Sequence, residues 1–219
     1  YTKEAYPDDP YIWLKDEREV VFHEDGTYTL TETNMFKILK EEAVFNLGEQ
    51  RISFNAAYEK VKSVEAKTIS PEGNIETATQ IQEVSPYSGF PMYSSHMMQI
   101  ITLPAITEGS IIEMTHVIEG ERIFKGEYWD QWFFQYIVPV DESSYKITIP
   151  ADKKLYISQK FLSAEPLIEE SDDGNTISYV WQKEKVEKVE FEEMAPYLGR
   201  DLPQIAISTI EDWDIVGNK

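Results

Sequence analysis

The amino-acid sequence predicts an all-β fold, a large antiparallel β-sandwich with helix confined to short turns. Apolar and polar residues alternate through many short segments, which is the pattern of half-buried strands. Turn signals such as Asp25-Gly26 and Asp173-Gly174 separate these segments at short intervals, as they do in sandwiches. The chain has 219 residues, 42% of them hydrophobic, which is enough to bury a sizeable core.

The first elements are a lead-in and a hairpin. Residues 1–16 are predicted to be a lead-in segment, since their first part is polar and carries two prolines. Residues 18–39 are predicted to form a hairpin around Asp25-Gly26. Residues 40–50 are mixed in character and are expected to hold one short helical turn. Four apolar residues of the second strand share one face: Tyr28, Leu30, Phe36 and Ile38.

A second hairpin is predicted from the stretch VKSVEAKTISPEGNIETATQI, residues 61–81. Its turn contains Pro71, which fixes φ, and Gly73, which tolerates an unusual φ. A strand over residues 51–58 precedes the hairpin. The second strand of the hairpin is predicted to be continuous, with Ile75, Thr77, Thr79 and Ile81 on one face.

The second half of the chain continues the strand pattern. Strands are predicted over residues 97–103, 111–119, 145–149 and 155–161, and His116 falls on the apolar face of the second of these. After the Asp173-Gly174 turn, Trp181 shares a face with Ile177 and Tyr179 and is predicted to be core. The glycine-bracketed segment 120–126 is the one weak candidate for an internal boundary.

Charge and cysteine content exclude several functions. The formal net charge of −20 repels phosphate backbones and anionic lipid, so nucleic acid and membrane surfaces are poor partners. No apolar run is long enough to insert across a bilayer. The chain contains no cysteine, which removes disulfides, thiolate metal ligands and a cysteine nucleophile.

Several motifs together resemble a known family. They are the A-x-T-I-x-P-x-G pattern at residues 66–73, TLPAITEGSIIEM at 102–114, WFFQYIVPVDESSYKITIP at 132–150, SYVWQKEKVE at 178–187 and PQIAISTIEDWDIV at 203–216. Their order and spacing resemble the bacterial domain of unknown function that lies in front of transglutaminase-like domains. The resemblance covers most of residues 20–216.

The resemblance implies an accessory role for this segment. Residues 17–207 would form a β-sandwich accessory domain, and residues 208–219 would begin a connector to a transglutaminase-like or cysteine-protease-like domain of the same polypeptide. The whole protein would be periplasmic, cell-surface or secreted. This segment would be non-catalytic and without a cofactor, and it would scaffold the catalytic domain or present substrate to it.

Residues capable of catalysis or metal binding show no convincing pattern. His23, His96 and His116 lack the spacing of metal ligands. Ser94 lies close to His96, but no nucleophile elbow surrounds it. The acidic residues after Ser171 lack the calcium-loop pattern, and a hairpin turn accounts for them. The forty acidic residues always offer carboxylate pairs, so a carboxylate enzyme stays an open class.

The most aromatic segment, residues 128–136, gives the alternative function. Exposed rings of Trp129, Trp132 and Tyr136 would stack on a carbohydrate or peptide, making the chain a stand-alone binding module. The competing interpretation is that one set of rings is sandwich core and the other a domain interface. Alternation places Trp132 and Tyr136 on one side of the strand and Trp129 on the other.

The C-terminal residues suggest an interface with the catalytic domain. Ile205 and Ile207 are predicted to form a strand, and Ser208 and Glu211 have the spacing of a capping box at a helix start. Trp213 and Ile215 would be the apolar side chains of this short helix and are expected to dock on the following domain. The alternative is that Trp213 folds back on the sandwich.

Overall fold

The computed structural model describes residues 1–87, 89, 95–163, 165–190 and 202–211. Strands account for 56% of the described residues and helix for 4%, so the predicted all-β class is confirmed. The helix is α1, Glu41–Leu47, inside the segment where a short helical turn is predicted. The strands are β1 Tyr11–Phe22, β2 Thr27–Ile38, β3 Glu49–Asn55, β4 Glu59–Ile69, β5 Ile75–Thr77, β6 Gln80–Val84, β7 His96–Thr102, β8 Ile111–Glu121, β9 Trp129–Phe133, β10 Val140–Pro150, β11 Tyr156–Lys160, β12 Leu167–Glu170, β13 Thr176–Val186 and β14 Gln204–Ser208.

The strands form one large mixed sheet and two small ones. The large sheet has the order β12-β13-β10-β1-β2-β8-β4-β5. The small sheets have the orders β3-β7-β6 and β11-β14-β9, and all their pairs are antiparallel. The chain divides into two compact units, and the prediction of a sandwich over residues 17–207 stays a prediction. Unit 1 contains Tyr1–Asp16 and Thr31–Glu119, and unit 2 contains Glu17–Leu30 and Gly120–Lys219.

Strand alternation selects the core of unit 1. On β8, Ile112, Met114 and Ile118 are buried, and His116 between them is buried too. Phe36 and Ile38 on β2 are also buried, as their shared face predicts. On α1, Ala43 is fully buried, whereas Phe45 is 90% exposed because it projects from the opposite side of the helix.

The core of unit 2 is built from aromatic rings and β-branched residues. Trp181 is 1% exposed, which confirms the prediction that it is core. Its ring lies 6.1 Å from that of Tyr145, and its Nε1 donates to Gln159 Oε1 at 3.1 Å. A buried indole is stable when its N–H finds such an acceptor.

Two glycine turns of unit 2 approach each other closely. Gly26 ends the predicted β1–β2 hairpin turn with φ at +84°, a conformation that L-residues avoid. A Cβ placed on Gly26 would lie 2.8 Å from the Cα of Gly126, which also has positive φ. Glycine is therefore required at position 26 for two reasons: the backbone has positive φ, and there is no space for a Cβ atom.

The hairpin predicted over residues 61–81 is correct in its first part. Strands β4 and β5 pair antiparallel, and the Gly73 N–H donates to the Ser70 carbonyl across the turn. The second strand, however, is not continuous. It stops at Thr77, and β6 pairs with β7 in another sheet. Ile75 and Ile81, predicted to share one face of one strand, belong to different sheets and are 62% and 46% exposed.

The structure differs from the sequence predictions in three other places. Strand β1 begins at Tyr11, so residues 11–16 are strand rather than lead-in. Strand β12 was not predicted, because its LIEE sequence has no alternation and all four residues are exposed. Strand β14 runs through Ser208, whose Oγ accepts from the Ile210 amide rather than from that of Glu211. The predicted helix beyond Glu211 lies outside the described residues.

Replacing Trp181 with alanine tests the core of unit 2. We expect Trp181→Ala to lower the free energy of unfolding by about 3 to 5 kcal/mol, because it empties a large buried site. Phe45→Ala is the matched control, since its ring is 90% exposed, and it should change that free energy by less than about 0.5 kcal/mol. Urea unfolding followed by circular dichroism measures both. Equal effects of the two variants would contradict the assignment of Trp181 to the core.

A second stability test concerns a buried hydroxyl of unit 1. Thr68 is 2% exposed, and its Oγ1 has no hydrogen-bond partner among the described residues. Thr68→Val keeps the shape and removes the unsatisfied group, so it should raise the free energy of unfolding by about 1 kcal/mol. Thr148→Val should instead lower the free energy of unfolding, because it removes the hydrogen bond between the Thr148 hydroxyl and Ser178 Oγ, which is 2.8 Å long. Denaturation midpoints that fall in both variants would refute the interpretation of Thr68.

Candidate functional site

The aromatic segment predicted to bind a ligand lies in unit 2, around β9. Trp132 is 4% exposed, and its Nε1 donates to Ser143 Oγ at 3.3 Å. Trp129 is half-buried, with its ring 5.7 Å from that of Phe124. Tyr136 is also half-buried and lies beyond the end of β9. Trp132 is therefore a core ring, as the competing interpretation of the segment allows.

The three predicted ligand residues do not form one row of rings. Positions 129 and 132 have opposite parity on β9, so their side chains leave the strand on opposite sides. The Tyr136 hydroxyl donates to the Phe133 carbonyl at 3.2 Å, which turns that side chain back toward its own strand end.

A hydrogen-bonded cluster surrounds the Asp130 carboxylate on the Trp132 side of β9. Arg18 Nη1 lies 3.3 Å from both carboxylate oxygens. The hydroxyls of Tyr145 and Tyr128 donate to Oδ2 at 3.0 and 3.4 Å. The Asp130 side chain is 11% exposed and that of Arg18 is 22% exposed. A carboxylate this well supplied with donors is stable in a largely buried position.

Arginine–aromatic contacts extend the cluster. The Arg18 guanidinium lies 4.7 Å from the centre of the Trp132 ring. Arg122 lies 4.7 Å from the ring centre of Tyr128 and 4.8 Å from that of Tyr28. Burial alone would lower the pKa of Arg122, but the interactions with Tyr128, Tyr28 and Asp130 outweigh it and leave that pKa raised. Arg122 therefore stays charged, and both guanidinium groups lie against aromatic rings.

The chemistry of this cluster is structural. Burial raises the pKa of Tyr128 and of Tyr145 well above the usual tyrosine range, with a further contribution from Asp130. Both hydroxyls thus remain neutral donors at physiological pH. We interpret the cluster, made of Arg18, Arg122, Tyr128, Asp130 and Tyr145, as a clamp that fixes β9 within unit 2.

Other titratable groups among the described residues make local contacts. No group of three or more His, Asp or Glu side chains within the described residues could hold a metal ion. His23 Nε2 bonds to Thr29 Oγ1 at 3.0 Å, and the His96 ring lies edge-on to Tyr87. Ser94 lies outside the described residues. Asp173 accepts from Ser171 and Asn175 across a hairpin turn, and these hydrogen bonds lower its pKa.

An open cavity of about 220 Å³ lies in unit 1. It sits where β5 ends and the chain turns away from β4. Residues of β4, of the end of β5 and of β8 line the cavity. They are Val64, Glu65, Ala66, Lys67, Thr77, Ala78, Glu113 and Thr115. Inside this lining, Lys67 Nζ and Glu113 Oε1 form an ion pair at 3.0 Å. Sequence reasoning missed this cavity, because the early end of β5 is its cause.

The described residues define an essentially all-β fold with a buried hydrogen-bonded clamp in unit 2. The family model of the domain of unknown function DUF3857 matches residues 24–190. The chain belongs to this family. No curated protein matches the sequence. No helix among the described residues combines the length and apolar character needed to cross a membrane.

Solved structures resemble this chain to different degrees. A Parabacteroides distasonis protein named "putative protease" superposes with a TM-score of 0.85 at 17% identity, over 92% of this chain. The chain spans 41% of the length of that protein. A Legionella pneumophila protein named "putative nutrient binding protein" gives a TM-score of 0.43 at 9% identity. The match covers 90% of this chain and 67% of the Legionella chain. A mutant of an M1 zinc metallopeptidase from Deinococcus radiodurans gives a TM-score of 0.44 at 10% identity. The match covers 90% of this chain and 42% of the metallopeptidase chain.

Alkaline titration tests the clamp. The folded pKa values of Tyr128 and Tyr145 lie above the ordinary value of 10.0, so the unfolded chain releases these protons first. Their contribution to stability is therefore complete below about pH 10 and is lost as the pH rises toward the folded pKa values. Ultraviolet absorbance should show these two tyrosines ionising last, together with unfolding. In Tyr145→Phe, the loss of stability above pH 10 should be less steep. Early ionisation of Tyr145 in the folded protein would contradict the clamp.

Proposed function

We propose that this chain is a non-catalytic accessory domain of a larger protein, acting beside a transglutaminase-like or cysteine-protease-like domain of the same polypeptide. Its role would be to scaffold that domain or to present substrate to it. The observation that carries the proposal is the match to the Parabacteroides distasonis protein, in which this fold occupies less than half of the chain.

The chemistry of the chain supports the same proposal. Without cysteine, this chain offers no thiol nucleophile, so a catalytic cysteine would have to come from elsewhere in the polypeptide. The donors around the buried Asp130 carboxylate are engaged in hydrogen bonds with it. The resemblance of the motifs to exported bacterial proteins supports a periplasmic, cell-surface or secreted location.

The surface that meets the catalytic domain would include the C-terminal end. Trp213 and Ile215 lie outside the described residues and are proposed as interface residues from sequence alone. The preceding strand β14 is anchored in unit 2, where Ile205 opposes Trp132 and the Thr209 amide donates to the Tyr128 carbonyl at 2.8 Å. A connector that leaves from an anchored strand would hold a following domain in a defined position.

The alternative function is a stand-alone carbohydrate- or peptide-binding module that uses residues 128–136. Burial of Trp132 reduces the stacking surface that this alternative needs. Trp129 is the ring of the segment best placed to test it, since it is half-buried rather than core. Quenching of its fluorescence by soluble oligosaccharides would favour the alternative.

The accessory role predicts where activity is found. The isolated chain should show no transamidase or cysteine-protease turnover, whereas the full-length protein should show it, because the thiol would lie outside this chain. Amine incorporation into a protein acceptor and cleavage of a labelled protein measure the two activities. Alkylation of thiols should abolish turnover in the full-length protein. Turnover by the isolated chain that survives alkylation and repeated purification would overturn the proposal.

A further inference from the structure

The small sheet β11-β14-β9 of unit 2 has a core face and an outer face. On β14, Ile205 and Ile207 are buried, with 0% and 3% of their surface exposed. Ile205 lies opposite the buried Trp132 of β9. Because residues directly opposite each other in an antiparallel pair share a face, these three side chains define the core face. Residues of the other parity form the outer face.

Two aromatic side chains flank the middle strand on the outer face. Ser208 of β14 lies opposite Trp129 of β9 on one side and opposite Tyr156 of β11 on the other. Two strand spacings place the Cα atoms of Trp129 and Tyr156 about 10 Å apart. The next outer-face residue of β14 is Ala206. Since Ser208 and Ala206 are small, the outer face forms a shallow depression over β14, with a large ring on each side.

Contacts within unit 2 hold both rings in position. The centre of the Trp129 ring lies 5.7 Å from that of the Phe124 ring and 5.5 Å from the Arg122 guanidinium. Lys154 Nζ lies 4.5 Å from the centre of the Tyr156 ring. Both rings are nevertheless only half-buried. Rings that are fixed in this way lose little conformational entropy when a partner covers them.

The outer face is poor in charge, which indicates a protein partner. Strands β9, β11 and β14 have the sequences WDQWF, YISQK and QIAIS, with one acidic and one basic residue among them. The acidic residue, Asp130, lies opposite Ile207 on the core face and bonds to Arg18. The basic residue, Lys160, lies on the outer face opposite Gln204. Aromatic rings with few charges are the composition of the buried centre of a protein–protein interface.

Charges at the border of the outer face nearly balance. Residues 121–127 carry two acidic and two basic side chains, and residues 152–154 carry one acidic and two basic ones. A partner therefore meets little net charge here, although the chain as a whole has a net charge of −20. A second copy of this chain would bring that whole negative charge with it, and the repulsion would oppose its approach.

The path of the chain indicates which protein surface fits. Just beyond β14, the Thr209 amide donates to the Tyr128 carbonyl at 2.8 Å, and the Ile210 amide donates to Ser208 Oγ at 2.9 Å. The polypeptide that follows β14 is therefore fixed beside the outer face. A domain joined through this polypeptide is held at a high effective concentration next to the two rings, whatever its own charge.

We propose that the domain following β14 packs on the outer face of the β11-β14-β9 sheet, with Trp129 and Tyr156 as anchors. This inference rests on the proposed function, because it names the surface of unit 2 that meets the catalytic domain. Trp213 and Ile215, the interface residues proposed from sequence, extend the same contact beyond the described residues. Packing on a sheet face fixes the orientation of the catalytic domain, which a connector alone does not.

Thiol labelling tests whether the outer face is covered. The chain has no cysteine, so Ser158→Cys introduces one thiol at an exposed outer-face position opposite Ala206. We expect maleimide to label it about tenfold more slowly in the full-length protein than in the isolated chain, as for a face that is open about a tenth of the time. Ser163→Cys is the matched control, an exposed serine beyond β11, and it should be labelled equally in both proteins. Peptide mass spectrometry separates these sites from thiols of the following domain.

A second substitution tests the depression over β14. In the full-length protein carrying Ser158→Cys, Ala206→Arg should restore the labelling rate of the isolated chain, because a long charged side chain then fills the depression. Ile168→Arg adds the same charge to a residue of β12 that is 59% exposed, and it should leave the protection unchanged. If Ala206→Arg prevents folding, the comparison of Ser158→Cys in the two proteins still decides.

Three results would overturn the proposal. The first is equal labelling of Ser158→Cys in the isolated chain and the full-length protein. The second is protection that disappears on dilution, which would assign the face to a second copy. The third is protection of the isolated chain by soluble oligosaccharides, which would assign the face to the stand-alone binding function.

Thiol-dependent turnover, measured before labelling, separates this inference from the proposed function. Turnover in a full-length protein whose introduced thiol is unprotected would leave the proposed function standing and overturn the docking surface alone. Protection without turnover would support the docking surface and contradict the catalytic activity proposed for the following domain.

Discussion

The alternation of a β-strand governs both what this chain buries and what it leaves open. Side chains leave the strand on opposite faces at successive residues, and backbone N–H and C=O groups alternate between the two edges. On β8 the first rule buries Ile112, Met114 and Ile118 together. On β9 it separates Trp129 from Trp132, so a dense aromatic sequence becomes part core and part half-buried surface. On β4 the second rule directs the backbone groups of Val64 toward the β5 side, where no strand of the described residues pairs with them.

Unit 2 shows how a strand with mixed composition is held in place. β9 carries Asp130 between large rings, and a carboxylate there would be costly without donors. Arg18 and two tyrosine hydroxyls supply those donors, and the same arginine lies over Trp132. The polar and aromatic contacts share side chains, so a change in any one of them alters the surroundings of the others. Such coupling favours a rigid element over one that exchanges ligands.

Sequence reasoning captured the features that depend on local periodicity. The β1–β2 turn at Gly26, the buried face of β2 and the core position of Trp181 follow from spacing and turn chemistry alone. Sequence reasoning missed the features that contacts between distant residues determine. β12 has no alternation and exists because β13 pairs with it, Leu167 opposite Val180. The break after Thr77 has no signal in a sequence that alternates without interruption, because the pairing of β6 with β7 decides it.

The candidate sites show the same contrast between features set by local sequence and features set by distant contacts. The aromatic segment was visible in the sequence because ring content is local, but the burial of Trp132 depends on Tyr145 and Ser143 of another strand. Arg18 lies far from Asp130 in sequence, and nothing near either residue signals their pairing. The end of β5 after three residues could not be predicted either, although the cavity of unit 1 lies beside it.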